Sequence, residues 1–175
     1  MIRNIKFLFT IIFGLIIFFV LLKGLEKPNN YFPNNTLKKI DTNLKFKMFY
    51  ENKEISIQKI IEKDKISLIN VWASWCLPCQ QEHSFLMTLK ENNLNIIGIN
   101  YKDKEVNAKK FLKKLGNPYS EVLVDLDGTK SIEMGAIGVP ETYLVNSETA
   151  EIIKKFIGPL DSLKTKEIRK ILKYE

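Results

Sequence analysis

The only two cysteines of the chain, Cys76 and Cys79, lie in one Cys-x-x-Cys unit. A largely apolar run, 66–73, precedes them and predicts a buried strand, and a helical pattern follows them. The first cysteine then lies at a helix N-terminus, where the helix dipole and free N–H groups favour thiolate over thiol. The spacing therefore predicts thiol–disulfide exchange, with Cys76 as the nucleophile and Cys79 as the more buried resolving thiol.

Two other uses of the cysteines are open from the residues alone. A static disulfide is one, although closing so small a loop adds little stability. A metal site is the other, since Cys76, Cys79 and His83 form a Cys-x-x-Cys-x-x-x-His cluster. Zinc sites use four ligands, or three and a water, and this histidine would have to point back across a helix turn. We therefore predict no metal and interpret His83 as a surface or packing residue.

The residues beside the cysteines can shape the site without carrying the reaction. Pro78 falls in the first helical turn, where its missing N–H costs little and its ring stiffens the loop between the sulfurs. Trp72 fits core packing, whereas Trp75 fits a surface that contacts substrate. Trp75, Leu77 and Pro78 are therefore the candidate substrate-binding residues of this segment.

The composition is that of a globular chain with a basic surface. It has 175 residues, of which 45% are hydrophobic and 27% charged, and its formal net charge is +7. The lysines occur as scattered pairs rather than as a stripe interleaved with aromatics, so nucleic-acid binding is not predicted. A lysine-rich solvated surface near anionic lipid headgroups is the simpler interpretation. Two cysteines are too few for a disulfide scaffold, which again favours a redox role.

An uncharged apolar run, Phe7–Leu22, lies near the start of the chain between basic residues. A spanning helix needs about 17–25 apolar residues, so the run is marginally short, although flanking lysines can snorkel. A cleaved signal peptide is the alternative, but the end of the run offers no small-x-small cleavage site. We therefore expect an uncleaved transmembrane anchor over 1–27, with a cytoplasmic N-terminus and an exported domain.

Strand and helix signals alternate along the rest of the chain, after a polar linker over 28–40. The predicted strands are 46–50 and 54–57, which form a hairpin, then 66–73, 94–100, 121–124, 142–145 and 152–157. The predicted helices are 58–62, a helix from the cysteines to about 92, 108–115, and a terminal helix carrying Leu163, Ile168, Ile171 and Leu172. This order predicts one α/β domain over 41–175, with a central mixed sheet flanked by helices.

Several segments resemble one known family. Trp72–Cys79 resembles the active-site segment of thioredoxins, and Gly138–Thr142 resembles their cis-proline loop. The segments that are similar to the narrower CcmG/DsbE branch are Asn70-Val71-Trp72, Glu82-His83, Gly98–Asp103, Leu115–Tyr119 and Pro140-Glu141-Thr142. Members of this branch are membrane-anchored periplasmic thiol:disulfide oxidoreductases of bacterial cytochrome c maturation. The likeness extends from about Phe32 to the C-terminus.

The resemblance implies a thioredoxin-like fold with an N-terminal hairpin extension and no cofactor beyond a redox-active Cys76–Cys79 disulfide. It implies that the protein keeps the haem-binding cysteines of apocytochrome c reduced, directly or through a partner thiol protein. Electrons would come from a membrane donor of the DsbD/CcdA type, and the domain would face the periplasm from the bacterial inner membrane. The direction of electron flow is implied by the family alone, since such pairs span about −270 to −120 mV.

The resemblance also implies roles for residues away from the cysteines. Pro140 is expected to be cis, which leaves the Val139 backbone free to pair with an extended peptide. Glu82 and Glu141 are expected near the dithiol, where a carboxylate raises a thiol pKa or relays a proton. Asn70 stands where cytosolic thioredoxins have a buried aspartate, so we hypothesise that Glu82 accepts the proton of the resolving thiol. A solvated helix face is the alternative for Glu82.

Two other functions are open beside that of a specific reductant. A general periplasmic reductase, or one that serves a copper-site cysteine pair, would use the same dithiol and differ in substrate breadth. A non-catalytic apocytochrome or haem chaperone would use the thiols only to anchor its client. The variant Cys76→Ala would then retain client binding and much of the biological activity.

Overall fold

The computed structural model describes residues 2–26, 39–91 and 94–174. The chain divides into two compact units, 1–35 and 36–175, and the sheet belongs to the second. The elements in chain order are α1 Ile2–Glu26, β1 Lys45–Met48, β2 Glu54–Ser56, α2 Ile57–Ile61, β3 Ile66–Trp72, α3 Leu77–Lys90, β4 Asn95–Tyr101, α4 Glu105–Leu115, β5 Glu121–Asp125, α5 Thr129–Glu133, β6 Glu141–Asn146, β7 Ile152–Ile157 and α6 Ser162–Tyr174.

Helix α1 contains the apolar run, and the side chains of Phe9 and of residues 11–23 are exposed. Within the part of the chain that the structure describes, no helix is both long and apolar enough to cross a membrane. The anchor predicted over 1–27 is therefore not supported by this structure. The linker predicted over 28–40 falls almost entirely outside the described residues.

A seven-stranded mixed sheet forms the centre of the second unit, in the order β2-β1-β5-β4-β3-β6-β7. β3 and β5 run parallel to β4, and the other pairings are antiparallel. Central parallel strands are covered on both faces, which explains why all seven residues of β3 are buried. β1 and β2 form the predicted hairpin, with Phe46 opposite Ile55. The predicted mixed sheet and its N-terminal hairpin are confirmed.

Strand alternation sorts the side chains of the sheet into two cores, one on each face. Leu68 and Trp72 of β3 pack in the core that contains both cysteines. Ile69 and Val71, between them in sequence, pack in the opposite core against the hairpin. Asn70 shares its parity with Leu68 and Trp72, so it lies on the face of the cysteines.

The structure differs from the prediction at two helices. The short helix α5 was not predicted, because five residues are too few for a periodic apolar pattern. Its start is held by Asp125 Oδ2, which accepts hydrogen bonds from Ser131 N and Ser131 Oγ at 2.8 and 2.6 Å. In α6, Ile168 is fully buried but Leu163 is 73% exposed. The two are five positions apart, which turns them about 140° from each other around a helix.

Candidate redox active site

Cys76 and Cys79 form a disulfide at the N-terminus of α3. Cys76 is the N-cap residue, and its Sγ accepts a hydrogen bond from the Cys79 backbone N–H at 3.1 Å. This donor and the helix dipole stabilise a thiolate on that sulfur once the disulfide is reduced. Cys79 is the more buried of the two only by a narrow margin, at 2% exposed against 4%. The cap position, rather than burial, makes the two sulfurs chemically different.

A carboxylate that sequence reasoning missed holds the segment before the cysteines. Asp103 accepts hydrogen bonds from Ser74 N at 2.6 Å and Ser74 Oγ at 2.8 Å. It also accepts one from Asn100 Nδ2 at 3.0 Å. Trp75 Nε1 donates to the backbone oxygen of Lys102 at 3.0 Å. The loop after β4 therefore fixes the approach to α3, and the only sequence signal for Asp103 was its place in the Gly98–Asp103 segment.

The predicted substrate-contacting residues border the disulfide. Trp75 and Leu77 are 57% and 63% exposed, and Pro78 lies in the first turn of α3. The Val139–Pro140 peptide bond is cis, as predicted. Because Glu141 pairs with Val71, the cis bond lies at the end of the sheet where β3 leads to the cysteines.

The loop that carries the cis bond leaves backbone groups available. Pro140 is buried, and Val139 is half-buried and packs against the core that contains the cysteines. Among the described residues, nothing forms a hydrogen bond with the Val139 backbone. Its N–H and C=O are therefore free to pair with an added peptide strand.

Glu82 follows Cys79 by three positions in α3, which puts both on one side of the helix. Its side chain is fully buried, so the solvated-face alternative is wrong. Oε1 accepts a hydrogen bond from Asn70 Nδ2 and Oε2 accepts one from Leu160 N, each at 2.8 Å. Burial raises the pKa of Glu82 to about 7, against the lowering effects of these two donors and of the Lys164 charge. A carboxyl group with this pKa can accept and return a proton near neutral pH.

Asn70 links Glu82 to two further side chains. Its Nδ2 also donates to Thr142 Oγ1 at 3.0 Å, and its Oδ1 accepts the hydroxyl hydrogen of Tyr119 at 2.9 Å. Burial raises the pKa of Tyr119 well above its ordinary value, and the negative charge of Glu82 raises it further. Tyr119 therefore remains a donor, and the amide of Asn70 has one orientation that satisfies all three partners. Sequence reasoning assigned no role to Tyr119 or to Leu160.

The structure does not bring Glu141 together with Glu82. Thr142 points to Asn70 on the cysteine face of the sheet, so alternation along β6 turns Glu141 to the opposite face. The two carboxyls therefore lie on opposite faces of the sheet, Glu82 on the face of the cysteines and Glu141 on the other. The reason is the period of a strand, which separates neighbouring residues onto different sides.

Glu141 instead fastens the loop before β6. Its Oε1 accepts a hydrogen bond from Ile137 N, and its Oε2 accepts from Tyr143 Oη and pairs with Lys155 Nζ, all at 2.9 Å. Lys155 Nζ also donates to the backbone oxygen of Gly135 at 2.7 Å. Burial, followed by the Glu141 charge, raises the pKa of Tyr143 and keeps its hydroxyl protonated. The carboxylate and the lysine thus hold two points of the loop that leads to the cis bond.

His83 is a packing residue rather than a ligand. It is 3% exposed, its ring stands edge-on to Phe111, and its Nε2 lies 3.0 Å from the backbone oxygen of Gly116. Burial lowers its pKa. Among the described residues, no three His, Cys, Asp or Glu side chains are placed to hold a metal ion. The alternative cluster of Cys76, Cys79 and His83 is therefore not formed.

Comparison with known proteins agrees with this geometry. A sequence model of the Redoxin family matches residues 27–172. The thiol:disulfide interchange protein CycY of Rhizobium leguminosarum bv. viciae is 47% identical over 106 residues, which cover 60% of this chain and 56% of that protein. The thiol:disulfide interchange protein DsbE of Escherichia coli K12 is 41% identical over 87 residues, which cover 50% of this chain and 47% of that protein. The chain spans about half the length of these relatives.

Solved structures share the fold at low identity. A DsbF homologue from Corynebacterium diphtheriae has a TM-score of 0.66 and 20% identity, covering 85% of this chain and 96% of that one. A putative thiol:disulfide interchange protein DsbE from Chlorobium tepidum has a TM-score of 0.63 and 20% identity, covering 77% and 96%. The predicted thioredoxin-like fold and the resemblance to DsbE proteins are thereby confirmed. The chain belongs to the Redoxin family, because the family match extends over most of the length of the chain.

Proposed function

We propose that the protein is a thiol:disulfide oxidoreductase that reduces protein disulfides through Cys76 and Cys79. The observation that carries this proposal is the disulfide at the N-cap of α3, beside exposed Trp75 and Leu77 and at the sheet end that bears the cis-proline loop. The names of relatives that are 39–47% identical support the same chemistry. No cofactor is required, because the two sulfurs carry both electrons.

The reaction starts from the reduced dithiol. The Cys76 thiolate attacks one sulfur of a client disulfide, and the other client sulfur leaves as a thiolate that takes up a proton. Cys79 then attacks Cys76 Sγ, which releases the second client thiol and forms the Cys76–Cys79 disulfide. Two electrons pass to the client, and a thiol donor must return two electrons before the next cycle.

Glu82 is assigned as the acceptor of the Cys79 proton in the second step. Cys79 must lose its proton to attack, and Asn70 cannot take it, because an amide is not a base at neutral pH. Glu82 lies one turn away on the same side of α3, and burial holds its pKa at about 7. Leu160 N and Asn70 Nδ2 hold the carboxyl in place and favour its ionised form, which is the form that accepts the proton.

The client that we favour is apocytochrome c, or a partner thiol protein that serves it, with a membrane donor of the DsbD/CcdA type. The support is the similarity to proteins named DsbE, together with the Gly138–Thr142 segment. The available backbone of Val139 suits an extended segment around a client cysteine, since strand addition supplies affinity through main-chain hydrogen bonds.

This proposal includes a periplasmic domain attached to the bacterial inner membrane by residues 1–27. It rests on the uncharged run Phe7–Leu22, which is helical within α1. The full chain, expressed in a bacterium with a C-terminal tag, should sediment with membranes and resist alkaline carbonate extraction. Recovery in the carbonate-soluble fraction would contradict membrane attachment and leave the redox proposal unaffected.

Covalent trapping tests the oxidoreductase proposal. The variant Cys79→Ala should stall as a mixed disulfide through Cys76, and mass spectrometry of exported fractions should identify the attached protein. Cys76→Ala is the matched control, because it retains one thiol but lacks the nucleophile. Capture of apocytochrome c or of a maturation thiol protein supports the specific reductant.

Other results would change the assignment. Capture of many unrelated exported proteins would indicate a general reductase, and capture of a copper-site protein would indicate a reductase for that site. Absence of any adduct with Cys79→Ala would contradict the proposal. Normal cytochrome maturation in cells that carry Cys76→Ala would favour a non-catalytic chaperone.

A further inference from the structure

A cleft lies between the segment that carries the cysteines and α4. It has a volume of about 320 Å³ and lies between Trp75 and Gln80 on one wall and Lys110 and Lys114 of α4 on the other. Trp75 directly precedes Cys76, and the backbone N–H of Gln80 donates to the Cys76 carbonyl oxygen at 3.3 Å. The cleft is therefore lined by the residue that precedes Cys76 and by a residue whose backbone bonds to Cys76.

Two aromatic side chains give the cleft fixed apolar surface. Trp75 is held through the hydrogen bond from Nε1 to the Lys102 carbonyl oxygen. Phe111, which also lines the cleft, is 8% exposed, and its ring centroid lies 5.1 Å from that of buried Trp72. The cleft therefore offers apolar contact beside its charged wall without first having to be ordered.

The wall of the cleft that α4 forms carries only positive charge. Lys110 and Lys114 are exposed and one helical turn apart. Within residues 39–91 and 94–174, neither forms an ion pair, whereas neighbouring Lys109 pairs with Glu105. The described lining residues include no carboxylate. Two uncompensated positive charges therefore stand beside the cysteine segment.

The carboxylate that adjoins this region, Asp103, forms no ion pair with Lys110 or Lys114 among the described residues. Asp103 bonds to Ser74, which is one of the lining residues. Its two oxygens already accept hydrogen bonds from Ser74, Asn100 Nδ2 and the backbone N–H of Lys104. Asp103 therefore holds the loop before the cysteines in place.

We propose that this cleft binds an acidic segment of the client polypeptide, next to the disulfide that Cys76 attacks. The inference rests on the proposed oxidoreductase function, because it requires the client disulfide to reach Cys76. Charge complementarity steers association and fixes orientation more than it adds affinity. Exposed ion pairs are weak and are screened by salt, so the effect belongs mainly to the association rate at low ionic strength.

Three synthetic peptides test the inference with the reduced full chain. They share one intramolecular disulfide and differ only in a flank of Glu, Gln or Lys residues. Second-order rate constants of reduction are measured by stopped flow. In about 0.01 M salt, we expect the Glu peptide to react about 10-fold faster than the Gln peptide, and the Lys peptide to react more slowly than either. In about 1 M salt, the three rates should converge, because the Debye length falls to about 3 Å.

Charge-reversal variants separate the cleft from the general field of a basic protein. Lys110→Glu/Lys114→Glu should reverse the order of the Glu and Lys peptides. Lys113→Glu/Lys170→Glu is the matched control, since it changes the net charge equally at two exposed lysines outside the cleft. The Gln peptide corrects both variants for any change in the intrinsic reactivity of Cys76, and circular dichroism checks that each folds.

Each possible outcome has a distinct meaning. Reduction of all three peptides at one rate in low salt overturns the acidic-client inference and leaves the proposed function intact. Failure to reduce any peptide overturns the proposed function itself. Equal effects of the two double variants would assign the preference to net charge rather than to the cleft. Inorganic phosphate can also be added at constant ionic strength. If the Glu peptide then reacts no faster than the Gln peptide, the cleft is a site for small anions, and the inference is overturned.

Discussion

Asn70 Nδ2 lies 2.8 Å from Glu82 Oε1, and both side chains are fully buried. This bond joins β3 to α3 at the turn of helix that follows the cysteines. Its donor is neutral, so it stabilises the carboxylate less than a buried cation would. Desolvation therefore dominates, and the pKa of Glu82 stays near 7.

The pH dependence of stability should carry the signature of Glu82. Its pKa rises from 4.5 to about 7 on folding, so the folded state binds more protons between these values. The stability that this group contributes is full below about pH 4.5 and is lost as pH rises through about 7. In the variant Glu82→Gln, the side chain at position 82 does not titrate between these pH values. The free energy of unfolding of the wild type, minus that of the variant, should fall over this window by about 1.4 kcal/mol per unit of pKa difference.

Urea unfolding of the oxidised proteins at closely spaced pH values measures this difference. His83 acts with the opposite sign, because burial lowers its pKa and its contribution is lost as pH falls below about 6.5. Since His83 is present in both proteins, its effect cancels in the difference. Glu133→Gln, at an exposed carboxylate, is the control and should show no such trend. A flat difference for Glu82→Gln would contradict the raised pKa.

The release of client from the mixed disulfide should depend on Glu82. If Glu82 accepts the Cys79 proton, Glu82→Gln slows the attack of Cys79 about 100-fold and removes the rise in rate as pH passes about 7. The first attack by Cys76 is the internal control and should change little. Rapid quenching with acid follows both steps. An unchanged release rate together with an unchanged Cys79 titration would remove Glu82 from the mechanism.

Tyr119→Phe should destabilise the fold by about 1–3 kcal/mol. The substitution leaves Asn70 Oδ1 buried without its 2.9 Å donor, and that is the usual cost of an unsatisfied buried acceptor. Tyr50→Phe is the matched control, because Tyr50 is 62% exposed, and it should change stability by less than about 0.5 kcal/mol. Urea denaturation at pH 7 compares the two variants, and equal losses would contradict the role of the Asn70 contact.

Glu141→Gln should weaken the loop before β6 rather than alter the dithiol. Breaking its buried pair with Lys155 should cost about 3 kcal/mol of stability. Because Glu141 contacts Ile137 and lies away from the cysteine face, KM for a peptide client should rise while the Cys76 thiol pKa stays unchanged. Steady-state kinetics and a thiol titration separate the two readouts.

The control for this ion pair is an exposed one. Glu167→Gln removes the pair with Lys154, whose side chains are 44% and 46% exposed, and should cost less than about 1 kcal/mol. A changed Cys76 titration in Glu141→Gln, without a change in KM, would restore the direct catalytic role that the family resemblance implies.

Local patterns determined much of this protein. The Cys-x-x-Cys spacing identified the redox pair, and the period of apolar residues located the strands and the long helices of the domain, because both signals lie within a few consecutive residues. The cis-proline loop was recognised from Gly138–Thr142 by resemblance and carries a cis bond in the structure. The short helix α5 and the exposed side of α6 at Leu163 lacked such a local signal.

The tertiary structure alone decided on which face of the sheet each candidate acid lies. Glu82 and Glu141 looked equivalent in the sequence, but strand register sends Glu141 to the opposite face, where it meets Lys155. Glu82 acquires its raised pKa from burial, which outweighs the lowering effect of the hydrogen bonds from Asn70 and from Leu160, 78 positions away in the chain. Burial and long-range pairing are properties of the packed molecule. The sequence therefore identifies the candidate acids, and only the tertiary structure determines their burial and their partners.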